Sequence, residues 1–306
     1  MSAEPDAATR LRRALSPLLR TDEFHPLSST VRVEYAAASH SGLGPDNNED
    51  HYLVGRLSRT QTMLASSLSS AELPGDFEEY AYMMVVADGL GGKGSGGVAS
   101  RLALSTLAHL ALHFGRWNVR VDARTATEVM ERAEWFYRRI HEVVRERGAG
   151  KSELSGMATS MTAAYTAGDE LFVAHVGHSR AYLFRQGDLT LLTRDQTLTK
   201  RLAESGRPEP VQVGTEDLGH ILTDAMGGHI PSPRIEVEHY RLLNGDCLLL
   251  CSDGLSDAVD HDRIAEVLMQ RRNPNEQCQR LIDLAVGGGS NDNVTVVLAQ
   301  YVIPRS

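Results

Sequence analysis

Apolar and polar positions change rhythm several times along the chain, and each rhythm predicts an element. Val31, Val33, Tyr35 and Ala37 alternate with Arg32, Glu34 and Ala36, the period of a half-buried strand. Asp50–Leu57 reads as a second strand. Residues 58–79 are polar, with five serines and Pro74-Gly75, which predicts a long loop insertion, either a passive surface loop or a substrate lid. Ala81–Ala87 is continuously apolar, as a strand covered on both faces must be. Two helices follow, the first spanning Arg101–Gly115. In the second, Val129, Ala133, Phe136, Ile140 and Val144 are spaced to line one helical face.

From Gly156 the period returns to two. Strands are expected over 158–166, 170–176, 181–185 and 189–193, with Gly168-Asp169 and Gly187-Asp188 as hairpin turns. A helix is expected over 195–204, then an irregular, flap-like segment over 205–220, which contains Arg207-Pro208-Glu209-Pro210. Strands over 234–240 and 246–251, helices over 262–271 and 275–286, and a last strand over 293–302 complete the chain. Helices come in pairs between blocks of consecutive strands. That is not the alternation of a doubly wound fold; it predicts an α+β architecture of two antiparallel sheets packed face to face, with helices outside. One domain is expected over 29–303, preceded by an extension over 1–28. In the extension Leu11, Ala14, Leu15, Leu18 and Leu19 form an apolar helical stripe among arginines, suited to a short docking helix. Glu4 and Asp6 weigh against a targeting segment.

Composition narrows the function. Of 306 residues, 42% are hydrophobic and 23% charged, the make-up of a globular protein. A formal net charge of −9 argues against a nucleic-acid binder. No apolar run approaches the ~20 residues of a membrane span. Cys247, Cys251 and Cys278 provide no disulfide framework and no zinc spacing, which fits a reducing cytoplasm. Nothing signals a coiled coil, and a monomer is expected.

Candidate chemistry lies where strands end. Asp50 opens a strand, Asp88 and Asp253 end apolar runs and are each followed by glycine, and Asp292 precedes the last strand. Aspartate also favours ordinary turns. If the strands converge, however, several carboxylates meet, and their repulsion and burial cost would raise their pKa values or disrupt the site, a conflict that one or two divalent cations remove. Oxygen-only donors select a hard ion, Mg²⁺ or Mn²⁺, and such an ion activates water at neutral pH. The stretch VVADGLGGKGSGGVAS also contains Gly89-x-Gly91-x-x-Gly94, the spacing of a dinucleotide turn. That reading needs an acidic residue ~20 positions on, at the end of a second strand, and a helix without an acid stands there instead. A phosphate-binding P-loop fails as well, because Gly94 rather than Ser or Thr follows Lys93.

Asn48-Glu49-Asp50, VVADGLGG, GMATSMTAAY, VAHVGHSRAYLFR, LTRDQTL, LLLCSDGLSD and GGSNDNVTVVLA occur in this order. Together they resemble the metal-dependent type 2C protein serine/threonine phosphatases, the PPM family, of bacterial type. The resemblance spans roughly residues 31–302. It implies a four-layer α/β/β/α sandwich with a dinuclear Mn²⁺ or Mg²⁺ centre at one end. In that family pattern Asp88 bridges both ions and the Gly89 carbonyl is a ligand. Asp253 and Asp292 bind one ion, Asp50 and Glu49 hold its waters, and Asn293 sits beside the centre. A water activated by the ions attacks phosphorus in line, the serine or threonine alkoxide leaves, and no phospho-enzyme forms. The implied substrates are phosphoproteins made by a Ser/Thr kinase.

Several positions depart from the family. Pro45 stands where a phosphate-binding arginine is usual, a loss worth about 1.5–3 kcal/mol of substrate binding. Lys93 replaces a common histidine and is a candidate stand-in for that cation. His178 replaces the aspartate of VGDSR, which helps hold a third, weaker ion. A weakened third site or an altered metal preference is therefore expected. Gly97, Gln196 and Asp224 replace a glutamate, a histidine and an arginine, with no catalytic role assigned. These losses leave two alternatives to a protein phosphatase: a pseudophosphatase acting as a binding module, and a hydrolase of small aryl phosphoesters.

Overall fold

The computed structural model describes residues 30–44, 47–69, 73, 77–92, 94–116, 123–204 and 221–304. The expectations for residues 1–28, Pro45, Lys93 and 205–220 lie outside the described residues. In chain order the elements are β1 (Arg32–His40), β2 (His51–Gln61), β3 (Phe77–Leu90), α1 (Ser95–Phe114), α2 (Ala123–Ala149), a 3₁₀ turn (Ser152–Leu154), β4 (Ala158–Ala167), β5 (Glu170–Val176), β6 (Arg180–Arg185) and β7 (Asp188–Leu191). Then come α3 (Leu198–Glu204), β8 (Met226–Gly227), β9 (Glu236–Arg241), β10 (Cys247–Cys251), α4 (Asp253–Ser256), α5 (His261–Met269), α6 (Pro274–Gly287) and β11 (Val294–Val302).

The strands form two sheets, ordered β1-β11-β10-β6-β7 and β2-β3-β4-β5-β9, with β8 added on β4. Every ladder among the described residues is antiparallel. No parallel βαβ unit exists there to carry a dinucleotide.

Side-chain alternation builds four layers. Met84 and Val86 of β3 meet Leu248, Leu250, Val297 and Ala299 of the other sheet in the central core. The intervening Val85 and Ala87 face outward against Ala99 and Ala103 of α1 and Ile140 and Val144 of α2. On the opposite outer face Leu249, Val296 and Leu298 meet Leu255, Ile264 and Leu281. β3 and β10 therefore need apolar residues at successive positions, as their sequences show. Each large side chain buried this way stabilises by about 1.5–3 kcal/mol. The capping residues fit their helices: α6 begins at a proline, and the Asn273 side chain accepts from Asn275 N–H. No described helix is long and apolar enough to cross a membrane.

Several boundaries differ from the sequence reading, among them the start of α1, which is Ser95 rather than Arg101. The loop expected over 58–79 is shorter, because β2 runs on to Gln61 and β3 starts at Phe77. Ser58 pairs with Tyr80 and Arg59 with Glu79. Here β2 is an edge strand with exposed alternate positions, so its polar sequence mimics a loop. The helix expected from Asp195 starts at Leu198. Asp195 instead receives two hydrogen bonds from the Arg180 guanidinium, at 2.7 and 2.9 Å, and Thr197 bridges to Leu222. The strand expected over 234–240 is Glu236–Arg241, because Arg234 N–H is bonded to Asp224 Oδ1.

Candidate metal centre

Strand ends from both sheets meet at one edge of the sandwich. Asp88 lies near the end of β3, paired with Ser160 of β4, and Asp50 directly precedes β2. From the other sheet, Asp253 follows β10 and Asp292 lies two residues before β11. The turn from β5 to β6, which crosses between the sheets, carries His178.

The two Asp-Gly repeats share a physical reason. A Cβ on Gly89 would lie 2.4 Å from the backbone of Gly96 and 2.7 Å from Glu49 O. One on Gly254 would lie 2.1 Å from Asn293 O. Each glycine lets a second backbone segment close in behind its aspartate. The GxGxxG spacing thus brings the end of β3 against the start of α1.

Neighbouring polar groups fix the carboxylates and the backbone around them. Ser252 Oγ donates to Asp50 Oδ2 at 2.7 Å, and Thr159 Oγ1 donates to Asp88 O at 2.7 Å. Asn293 Oδ1 accepts from Glu49 N–H at 2.8 Å, and Asp292 Oδ1 accepts from Asn293 N–H at 2.7 Å. Ser100 Oγ donates to Glu49 O at 2.6 Å. Gln196 holds the β5–β6 turn from two sides: its Oε1 accepts from Gly177 N–H and its own N–H donates to Gly177 O. The sequence reading gave no role to Ser252, Thr159, Ser100 or Gln196. Serine and threonine are common at strand ends, and only the adjacency of Ser252 to Asp253 hints at a site.

The electrostatics are those of crowded, buried acids. Burial pushes Asp50 up to about 7; hydrogen bonds from Ser252 and Thr295 oppose the rise, and Asp253 and Asp292 add to it. Asp88 is raised well above the ordinary carboxylate range by burial, then by Asp253, Asp50 and Asp292. Glu49 is raised by burial, less a pull from the Gly97 amide. As ionised carboxylates, Asp88 Oδ2 and Asp253 Oδ1 have no hydrogen-bond donor, and His178 Nδ1 has no partner either. One donor atom each from Asp88, His178 and Asp253 fit within 4.8 Å of one another, and the three residues are only 8%, 6% and 7% exposed. Orphaned, buried, negative donors around one point are what a divalent cation satisfies. The donor set therefore fits the metal implied by the resemblance.

Comparison with known proteins points the same way. The family profile described as protein phosphatase 2C matches residues 75–285. Serine/threonine protein phosphatase PstP of Mycobacterium tuberculosis is 34% identical over 89% of this chain, which spans 46% of that relative. Serine/threonine phosphatase stp of Listeria monocytogenes is 31% identical over 71% of this chain and 84% of its own length. Among solved structures, the catalytic domain of PstP in complex with two manganese ions superposes with a TM-score of 0.66 at 33% identity, covering 89% of this chain and 100% of that domain. With its sandwich, its converging carboxylates and these relatives, the chain belongs to the protein phosphatase 2C family.

Proposed function

We propose that this chain hydrolyses phosphoserine and phosphothreonine in proteins, using two Mn²⁺ or Mg²⁺ ions held at the sandwich edge. The observation that carries this reading is the convergence of Asp50, Asp88 and Asp253, with the buried Asp88 Oδ2 and Asp253 Oδ1 left without a hydrogen bond. The ions supply Lewis acidity, lowering the pKa of water and neutralising charge that develops on the phosphoryl oxygens. Asp88, with the Gly89 carbonyl as a further ligand, would hold the ions, and Asp253 and Asp292 would hold one of them. Asp50 and Glu49 would hold waters of the ions. Ser252 fixes the Asp50 carboxylate and Asn293 fixes the Glu49 backbone, so the donors are placed before substrate arrives. A third ion is not part of the proposal, because His178 turns towards Asp88 and Asp253.

Substrates on this reading are proteins phosphorylated by a Ser/Thr kinase. A monomer in a reducing cytoplasm is the proposed setting. Three buried free cysteines support the redox part, with the Cys251 and Cys278 thiols pushed up to about 12 by burial.

The test measures phosphate release from a phosphothreonine peptide and from an aryl phosphate, with Mn²⁺ or EDTA. Parent and Asp253→Asn are compared. The expected result is Mn²⁺-dependent release from the peptide that Asp253→Asn abolishes. Release from the aryl ester alone would identify a small-phosphoester hydrolase, and release from neither a pseudophosphatase.

A further inference from the structure

Among the described residues, His178 is the one nitrogen donor grouped with the carboxylates of the centre. Its ring lies between two of the proposed ligands. Nδ1 faces Asp88 Oδ2 at 3.4 Å, and Nε2 faces Asp253 Oδ2 at 3.4 Å. Neither separation is a normal hydrogen bond. Two adjacent ligands of an octahedral ion, each at ~2.1 Å, sit about 3 Å apart, so the Nδ1–Oδ2 pair has the span of one coordination edge.

The ring is also well anchored. It is buried, and its turn is clamped at Gly177 by Gln196. Gly177 has φ 107, and a Cβ there would lie 2.3 Å from Ser160 Cβ, so the turn has little room to shift. Asp88 Oδ2 and His178 Nδ1 are both buried without a hydrogen bond, and so is Asp253 Oδ1.

We propose that His178 Nδ1 is a direct ligand of a cation held by Asp88, and that it makes the centre select Mn²⁺ over Mg²⁺. A neutral imidazole has one lone pair. With Nδ1 as donor, Nε2 keeps its proton and presents it to Asp253 Oδ2. That carboxylate–histidine–metal relay fixes the tautomer. Mg²⁺ demands hard oxygen donors, whereas Mn²⁺ accepts imidazole. Replacing a carboxylate by a neutral ring also removes one negative charge, which weakens binding of any dication. The two effects oppose each other for Mn²⁺ and add for Mg²⁺. The inference rests on the metal-dependent reading above but concerns only which atoms hold the ion.

The experiment loads the full chain with sub-stoichiometric Mn²⁺ and records pulsed electron paramagnetic resonance for ¹⁴N coupling. Mg²⁺ is then titrated against bound Mn²⁺ in the parent, His178→Asp and His178→Gln, with thermal melts to confirm that each variant is folded. The expected result is imidazole nitrogen coupling in the parent, absent from both variants. The preference for Mn²⁺ over Mg²⁺ should fall about tenfold or more in His178→Asp. Absent coupling in the parent, an unchanged preference in His178→Asp, or failure to bind Mn²⁺ would overturn the proposal. Nitrogen coupling without peptide hydrolysis would sink the phosphatase reading and leave this one standing. Hydrolysis without coupling would do the reverse.

Discussion

Replacing Asp50 by asparagine isolates what the metal-free cluster costs the fold. The Asp50 carboxyl titrates at about 7 when folded, against an ordinary 3.8. A raised folded-state value in an acid means that stability is fully present below 3.8 and is lost as pH rises through about 7. A shift of roughly three units, at 1.36 kcal/mol each, is a loss of ~4 kcal/mol at pH 8. Asparagine has nearly the same shape, can still accept from Ser252 Oγ, and carries no charge. In EDTA at pH 8, Asp50→Asn should therefore be more stable than the parent by ~2–4 kcal/mol, a rise of several degrees in Tm. The gap should close below pH 4, where the parent carboxyl is also neutral. Added Mn²⁺ should raise the parent's Tm more than the variant's, and phosphatase activity should fall sharply. Thermal melts in EDTA and in Mn²⁺, at pH values from below 4 to 8, give the three stability comparisons, and phosphate release from a phosphothreonine peptide gives the fourth. A variant less stable than the parent at pH 8 in EDTA would refute the reasoning. An equal gain at every pH would refute it too, because charge would then not be the cause.

Other consequences are open to direct measurement. His175 is buried and lowered to about 4, by burial first, with Nε2 donating to Arg194 O and Nδ1 beside Thr162 Oγ1. A lowered folded-state value in a base gives stability that is present above 6.5 and lost as pH falls towards 4, about 3 kcal/mol in all. NMR should find the ring neutral at pH 5, and a midpoint near 6.5 would contradict this. Ser252→Ala removes the donor to Asp50 and should cost about 1–3 kcal/mol in the Mn²⁺-loaded protein, read by urea unfolding. An unchanged midpoint would show that the bond contributes nothing. Gly254→Ala forces a Cβ to within 2.1 Å of Asn293 O. Calorimetry of Mn²⁺ binding should show weaker affinity as β10 and β11 part at the site, and parental affinity would mean that the backbone relaxes freely.

Much of the fold was legible because its strands are covered unequally. β3 and β10 face packed layers on both sides, so their apolar runs are unbroken, and α2 faces one layer, so its stripe steps by threes and fours. The β2–β3 extension was hidden because an edge strand with exposed alternate residues looks like a polar loop. The start of α3 was misplaced because Asp195, a good helix opener, is taken by Arg180 from a distant strand. Asp50, Asp88, Asp253 and Asp292 were visible as strand-end acids, but their meeting is a long-range event that no local pattern encodes. It was the order of several motifs that suggested it. The position of the His178 ring depends on the Gly177 turn and the Gln196 clamp, neither of which has a sequence period.

The centre draws its acids from both halves of the sandwich: Asp50 and Asp88 belong to one sheet, and Asp253 and Asp292 to the other. A cation held between them is a cross-link. It joins chain segments some two hundred residues apart, much as a disulfide would, but reversibly and under the control of ion supply. Chelation should then loosen more than the site. Amide exchange should quicken along facing strands such as β3 and β10, whose shared core keeps all its side chains while losing its clasp.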